Sequence, residues 1–330
     1  MPALFVNALF RALLTLLLVL VLAFFMTHLA YQDPAVMLAP RNANQQTIDA
    51  IAHALRLNDP WYQQLWHYLY RGPEIQGAPI GLMHWPPALG FSFRFQMPVT
   101  TLILSKVPVT LSLALGAWVI WTVISLLTGV LAAHFKERWP DRLLAFFSYF
   151  ALSLPTFLSG MLLSFFLFYQ LSLHGFNWFP ASGYVPLSEN LWQWAHHLIL
   201  PWLTLAFAEI GIFQRVIRAS LLDVLSKDYI RTAHAKGVSE WRVYFDHALK
   251  PALDPVLVLG GLELAAIMGG AIVTEQMFGL DGVGRLAINA ALEGDFPVVI
   301  GTTIFAAAVF ITCNFIVDIL THWRNPQRVK

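Results

Sequence analysis

The chain has 330 residues, of which 58% are hydrophobic and 12% are charged, and its formal net charge at pH 7 is +1. Because soluble domains carry about 25% charged residues, this composition excludes an ordinary soluble domain and indicates a polytopic membrane protein. The net charge is close to zero and no basic run occurs, so we expect no nucleic-acid partner. The single cysteine, Cys313, cannot form an intrachain disulfide.

Six apolar runs predict six membrane-spanning helices and an all-α fold. The first lies in residues 1–30, and the others cover residues 107–133, 143–172, 198–218, 252–275 and 297–317. The third run is longer than a hydrocarbon core of about 30 Å requires, so we expect it to tilt or to be interrupted near Pro155. A cleaved signal peptide is the alternative for the first run. Because His28 to Tyr31 form a poor cleavage site, we expect an uncleaved anchor instead.

The segments between these runs set the predicted domain organisation. Residues 31–98 are polar, aromatic and proline-containing, and we expect a periplasmic segment with short helices. Residues 99–330 form the predicted transmembrane core, which ends in a cytoplasmic tail at 318–330. Within that core, residues 98–108 are expected to form an interfacial helix ahead of the second span.

The distribution of Lys and Arg predicts the orientation, because these residues accumulate on the cytoplasmic side of membrane proteins. If both chain ends are cytoplasmic, 14 of the 20 Lys and Arg residues lie in cytoplasmic loops and ends. The others are spread over longer outer segments: Arg41, Arg56, Arg71, Arg94, Lys106 and Arg285. We therefore predict cytoplasmic N and C termini.

Residues 219–251 form the longest charged stretch between two apolar runs, and the predicted orientation places it in the cytoplasm. Gly237 predicts a break between two helices, since glycine tolerates the left-handed conformation of a helix end, and Ser239 stands where an N-cap belongs. An apolar stripe at helical spacing follows: Trp241, Tyr244, Phe245, Ala248 and Leu249. Two short helices cannot bury this stripe by themselves, so we expect the segment to dock on a partner.

The same segment carries a family resemblance. RTAHAKG, from Arg231 to Gly237, followed by HALKPALDP, resembles the EAA loop of permease subunits in ABC importers, in the branch for dipeptides, oligopeptides and nickel. The pattern departs at His247, where isoleucine is usual, and at Leu249-Lys250, where Leu-Pro is usual. Further similar stretches are YQDPA at 31–35, RLNDPWYQQLWHYL at 56–69, FPASGY at 179–184 and EQMFGLDGVGR at 275–285.

The resemblance implies a transport subunit of the bacterial inner membrane that is not itself an enzyme. It implies a second permease subunit, two cytoplasmic ATPase subunits that bind ATP and magnesium, and a periplasmic substrate-binding protein. It also makes the two helices of the 219–251 segment the coupling helices that contact the ATPase. The residues expected to make this contact are Arg231, Thr232, Ala233, Ala235, Lys236, Gly237, Trp241, Tyr244 and Phe245.

The absence of two common catalytic motifs agrees with a transport subunit that is not an enzyme. The chain has no Gly-x-x-x-x-Gly-Lys-Ser/Thr phosphate loop and no His-Glu-x-x-His, so we expect no bound cofactor, no catalytic residue and no metal site in this chain. A charge costs about 2.5–3.5 kcal/mol at the centre of a spanning helix. Glu263, Glu209 and Glu275 should therefore avoid lipid, and they either line the translocation path or form hydrogen bonds between helices.

Three kinds of transport remain open at this level. Peptide uptake is the prediction, and uptake of nickel or a metal chelate is the alternative within the same family. The alternative from a different class is a secondary transporter that works without an ATPase and moves protons through Glu263 and Glu209.

Overall fold

The computed structural model describes residues 2–29, 35–36, 39–40, 42–54, 56–72, 74–75, 77, 79–85, 87–180 and 182–324. The stretch that resembles the family at residues 31–34 and the end of the predicted tail at 325–330 lie outside the described residues. The described part is almost entirely helical, with one antiparallel pair of two-residue strands, β1 (Phe91–Ser92) and β2 (Met97–Pro98).

The helices are named here in chain order. They are α1 (Pro2–Leu29), α2 (Gln45–Ala54), α3 (Trp61–Leu69), α4 (Val99–His134), α5 (Trp139–Ser153), α6 (Thr156–Leu163), a π-helical stretch (Ser164–Gln170), α7 (Leu171–Leu173), α8 (Leu191–Leu225), α9 (Asp228–Ala235), α10 (Glu240–Arg242), a second π-helical stretch (Val243–Ala248), α11 (Leu249–Ala252), α12 (Asp254–Met268), α13 (Ile272–Met277), α14 (Val283–Glu293) and α15 (Phe296–Arg324).

Four of the described helical stretches are long and apolar enough to cross a membrane. They are Val99–His134, Thr156–Leu173, Leu191–Leu225 and Phe296–Thr321. A fifth candidate is the pair Glu240–Ala252 and Asp254–Met268, which bends by 49°. A shorter apolar stretch, Phe10–Phe25, lies within α1. The all-α membrane fold is therefore confirmed with four to five candidate spans, and the count of six stays a prediction.

The helix ends refine the predicted boundaries. Helix α4 runs without a break through Pro108, so a separate interfacial helix over 98–108 is wrong. The expected interruption near Pro155 is present, since α5 ends at Ser153 and α6 begins at Thr156. In the predicted fifth span, α12 ends at Met268 and the backbone of Gly270 has φ +127°. The pair Gly269-Gly270 therefore ends a helix within this predicted span.

The chain forms two compact units, and the first comprises Met1–Thr110 and Asp281–Ile311. Its apolar core consists of Val99, Leu102, Ile103, Val283, Leu286, Ala290 and Val298. The carboxylate of Asp295, which is 1% exposed, accepts hydrogen bonds from Ser92 Oγ at 2.5 Å and from the backbone N–H of Phe93 at 3.2 Å. This buried carboxylate ties the turn after β1 to the start of α15.

The second unit comprises Leu111–Leu280 and Thr312–Lys330 and contains the close packing of α5 against α8. Gly211 of α8 has no side chain, and a β-carbon there would lie 2.7 Å from the carbonyl oxygen of Ser148. The Ser148 hydroxyl donates a buried hydrogen bond to Gln214 Oε1. Small residues that let helix backbones approach are typical of packing within membranes, and this contact fixes α8 on α5.

We expect Gly211→Ala to destabilise the protein, because the added methyl group collides with a backbone carbonyl that cannot rotate away. Overpacking of this kind costs about 1–3 kcal/mol. The measurement is thermal unfolding of the purified chain in detergent.

Gly260→Ala is the matched control, since its β-carbon would lie 3.5 Å from Trp118 Nε1, an ordinary contact distance. Equal unfolding temperatures for the two variants would show that α5 and α8 can separate without loss.

Candidate functional site

The first helix of the 219–251 segment, α9, ends in a Schellman motif. The N–H of Val238 donates to the carbonyl of Ala233 at 3.2 Å, and the N–H of Gly237 donates to that of His234 at 2.9 Å. Gly237 has φ +78°, and a β-carbon there would meet nothing within 4 Å. The backbone conformation therefore favours glycine at this position, while the surrounding space is open. The predicted break between two helices is present at Gly237.

The second half of the segment is less regular than the sequence predicts. Ser239 has the extended backbone of an N-cap, but its side chain makes no capping hydrogen bond. The backbone widens into the π-helical stretch Val243–Ala248 just before Pro251. Because Pro251 has no N–H to donate to the carbonyl four residues earlier, a wider turn before it accommodates the missing hydrogen bond. The 49° bend then leads into α12.

Part of the apolar surface of the segment is buried against other elements of this chain, and docking of the rest on a partner stays a prediction. Ala248 is fully buried, and so is Val243, which lies outside the predicted stripe. They belong to a cluster, here called the root cluster, made of Ala133, Leu221, Val224, Ile230, Val243, Ala248 and Ala252. The wider turns of the π-helical stretch change which side chains share a face, compared with a regular helix. Val243 and Ala248 both face the root cluster, which seats the segment on the end of α8.

The predicted contact residues divide between surface and packing. Arg231, Thr232, Ala235, Lys236 and Gly237 are exposed, whereas Ala233 is half-buried and packs against the root cluster. Trp241 is 72% exposed, and its ring lies 4.2 Å from that of Phe245 between centroids. Tyr244 and Phe245 are half-buried, and the ring of Tyr244 packs edge-on against His134 at 5.5 Å.

An ion pair that the sequence reading missed joins α5 to α8. Arg218 donates two hydrogen bonds to Asp141, from Nε at 2.6 Å and from Nη2 at 2.7 Å, and the N–H of Glu137 donates a third at 2.8 Å. The Arg218 guanidinium and the Glu137 amide lower the pKa of the Asp141 carboxyl against the opposing effect of burial. The sequence signal was an acidic residue beside Pro140 at a helix start, which indicates a cap more readily than a distant pair.

The three intramembrane acids have different surroundings. Glu275 is fully buried in α13, next to the left-handed turn at Gly279. Glu209 and Glu263 are half-buried. Glu209 Oε2 is buried and accepts no hydrogen bond from any of the described residues. On the same helix as Glu209, the Arg215 guanidinium lies over the ring of Tyr149 and Arg218 pairs with Asp141.

Within the described residues, no group of three or more His, Cys, Asp or Glu side chains is arranged to hold a metal ion. The adjacent His196 and His197 are engaged with backbone carbonyls. His196 Nε2 lies 2.7 Å from the carbonyl of Trp178, and His197 Nδ1 lies 2.9 Å from that of Gln193. Both histidine rings are thus held by hydrogen bonds to the backbone.

Comparison with known proteins gives two matching family models. Residues 125–330 match the binding-protein-dependent transport system inner membrane component, and residues 1–114 match the N-terminal part of such membrane components. This chain belongs to that family. The predicted membership, the inner-membrane location and the role of permease component of an ABC importer are thereby confirmed. The family implies transporter partners such as a binding protein and an ATPase, and its members are transport subunits that are typically not enzymes.

Named relatives cover nearly the whole chain. A putative peptide transport system permease protein of Brucella abortus strain 2308 is 36% identical over 327 residues, which are 99% of each chain. The glutathione transport system permease protein of Escherichia coli strain K12 is 36% identical over 312 residues, which are 94% of each chain. The chain is thus similar to permeases of peptide-type systems over its full length.

We expect Asp141→Asn to destabilise the permease at neutral pH, because it leaves the Arg218 guanidinium without its charged partner. Because the Arg218 side chain is 29% exposed, we expect a cost of about 1–3 kcal/mol, between those of an exposed and a fully buried ion pair. Since the folded pKa of Asp141 is lowered, the pair stabilises the fold above the unfolded pKa of about 3.9 and loses this effect as pH falls through the folded value. The stability gap between wild type and variant, measured by thermal unfolding, should therefore narrow at acidic pH.

Asp223→Asn is the control, since its ion pair with Lys227 is exposed and such pairs contribute about 0–1 kcal/mol. A gap for Asp141→Asn that is small at pH 7, or that does not depend on pH, would contradict the assigned role of this pair.

Proposed function

We propose that this chain is half of the translocation pathway of an ATP-driven peptide importer, with six spans and both ends in the cytoplasm. In this proposal residues 31–98 face the periplasm and the binding protein. A second permease subunit completes the pathway, and two ATPase subunits dock on the 219–251 segment. Peptides are favoured as substrates over nickel or metal chelates, because the similar proteins carry the names of peptide and glutathione systems.

The observation that carries the proposal is the division of the 219–251 segment into an anchored half and an exposed half. Val243 and Ala248 are buried in the root cluster, whereas Arg231, Ala235 and Lys236 stand on the surface beside the Gly237 turn. A surface that is polar, small and rigidly seated suits docking by another protein. Movement of that surface would be carried to α8 through the root cluster rather than absorbed by a loose loop.

Coupling requires one element that two sites can bias. In our proposal this element is α8 with its attached segment. The Asp141–Arg218 ion pair holds the end of α8 on α5. A push on α9 therefore displaces α8 and α5 together. Closure of the ATPase subunits would then switch the pathway between inward-facing and outward-facing states, while ATP and magnesium stay on the partner subunits.

We expect Gly237→Asp to abolish ATP-dependent uptake while the chain still inserts and folds. The new carboxylate would point into open space at the proposed docking surface, so the loss would come from the ATPase contact. The measurements are co-purification of the ATPase subunits and peptide uptake by the reconstituted complex.

Gly175→Asp is a close control, because Gly175 also has a left-handed backbone, at φ +85°, and open space around it. Both substitutions carry the same conformational cost of about 1–2 kcal/mol. If Gly237→Asp kept full ATPase association and transport, the docking surface would lie elsewhere.

We further propose that Glu209 and Glu263 line the path, with Glu275 in a structural or gating role. Two half-buried acids in predicted spans, one with a buried oxygen that accepts no hydrogen bond within the described residues, suit transient contact with the cationic amino terminus of a peptide. The same acids would carry protons in a secondary transporter. Uptake by the reconstituted complex distinguishes the two transport mechanisms, because our proposal requires ATP for uptake and a proton-driven carrier does not.

We expect the double variant Glu209→Gln, Glu263→Gln to slow uptake about tenfold, equivalent to about 1.4 kcal/mol, with binding protein at saturation. Its thermal stability should stay close to that of the wild type, because neither acid is a partner in an observed ion pair. The exposed Glu189→Gln is the control. Unchanged uptake, or a stability loss that accounts for the slower uptake, would assign the two acids to helix packing.

A further inference from the structure

An apolar groove of about 380 Å³ lies between the C-terminal end of α4 and the segment that follows Gly237. One wall is formed by Leu127, Val130 and Leu131, and the opposite wall by Trp241, Tyr244 and Phe245. His134 and Glu240 are the polar residues that line it. Trp241 and Leu131 stay 72% and 44% exposed, so the groove is open and its apolar walls are accessible.

The wall of this groove on α4 continues a row of exposed apolar residues along that helix. Helix α4 is a candidate span and exposes an apolar residue at every fourth position, each between 37% and 65% exposed. The stripe is Leu111, Leu115, Val119, Val123, Leu127 and Leu131. Because a four-residue step advances about 40° around a helix, the stripe winds around the span, and its last two members, Leu127 and Leu131, line the groove. Lipid chains that contact the stripe have a continuous path into it.

The chain around the end of α4 has the composition of a membrane–water interface. The charge-free part of α4 ends at His134, and the turn that follows exposes Lys136, Arg138 and Arg142. Arg242 is exposed beside the opposite wall, and Trp139 is 75% exposed. Tryptophan and cationic side chains at the headgroup level are typical of this boundary, and basic residues there attract anionic lipids. Glu137 and Glu240 reduce the excess of positive charge without reversing it.

We propose that the groove binds one acyl chain of an anionic glycerophospholipid, whose phosphate lies among Lys136, Arg138 and Arg242. This goes beyond the proposed transport function, because it makes a bilayer lipid a specific ligand. The lipid bridges the end of a spanning helix and the wall that carries Trp241 and Phe245. It fills apolar volume that these two elements leave open, and so it steadies the second half of the 219–251 segment against α4.

The test is native mass spectrometry of the full-length chain, purified in mild detergent and exposed to phosphatidylglycerol or phosphatidylcholine. We expect wild type to retain phosphatidylglycerol preferentially. Leu131→Trp, which places a larger ring in the groove, should weaken retention about tenfold, the effect of losing roughly two buried CH₂ groups. Val119→Trp, on the same exposed stripe but outside the groove, is the matched control and should retain lipid as wild type does.

A second variant separates the headgroup from the acyl chain. Lys136→Glu combined with Arg138→Glu should remove the preference for phosphatidylglycerol over phosphatidylcholine while leaving the groove intact. Equal retention by wild type and Leu131→Trp would overturn the proposal. These readouts need no ATPase, so their failure is distinguishable from failure of the coupling assignment.

Occupancy by another protein chain is tested in the assembled transporter. Cys313→Ala removes the single cysteine, and Leu131→Cys then places one thiol in the groove. Failure of a maleimide-benzophenone photocrosslinker on this thiol to link to any other subunit supports a lipid occupant. A specific crosslink to a second permease subunit in high yield would overturn the lipid assignment.

Discussion

The packing of α5 on α8 is the constraint on which the rest of the second unit depends. Gly211 lets the Ser148 backbone approach, the Ser148 hydroxyl bonds to Gln214, and Arg218 holds Asp141 at the far end. These contacts lie on successive turns of the same face of α8, so they fix both its distance and its rotation. The 219–251 segment, which begins within α8, takes its position from this arrangement.

The 219–251 segment shows how such a position is passed on. Its buried residues insert beside Leu221 and Val224 at the end of α8, which leaves little freedom for the segment to move by itself. The Schellman motif at Gly237 then reverses the chain with defined geometry and leaves α9 on the surface. A mechanical contact between subunits requires a rigid attachment, here the root cluster, and an accessible surface, here α9. A flexible attachment would dissipate the movement.

The aromatic side chains of this segment do not all serve one surface. The sequence grouped Trp241, Tyr244 and Phe245 with the residues expected to meet the ATPase. In the fold they form the wall of a groove against α4, at the level where the charge-free helix ends. Membrane lipid and a soluble subunit could therefore act on opposite sides of the same short segment, which would link coupling to the state of the bilayer.

The sequence by itself determined the membrane class, the approximate helices, the family and the break at Gly237. These properties depend on composition, on hydrophobic runs and on one residue with special backbone freedom, all of which are local. Only the tertiary structure decided that Arg218 pairs with Asp141, 77 positions away, that Val243 and Ala248 are buried while Trp241 is exposed, and that Gly269-Gly270 ends a helix. Helical periodicity assumes a regular helix and cannot show which side meets a neighbour. The π-helical stretch before Pro251 and the close approach at Gly211 set those sides, and the residues that they bring into contact are distant in the sequence.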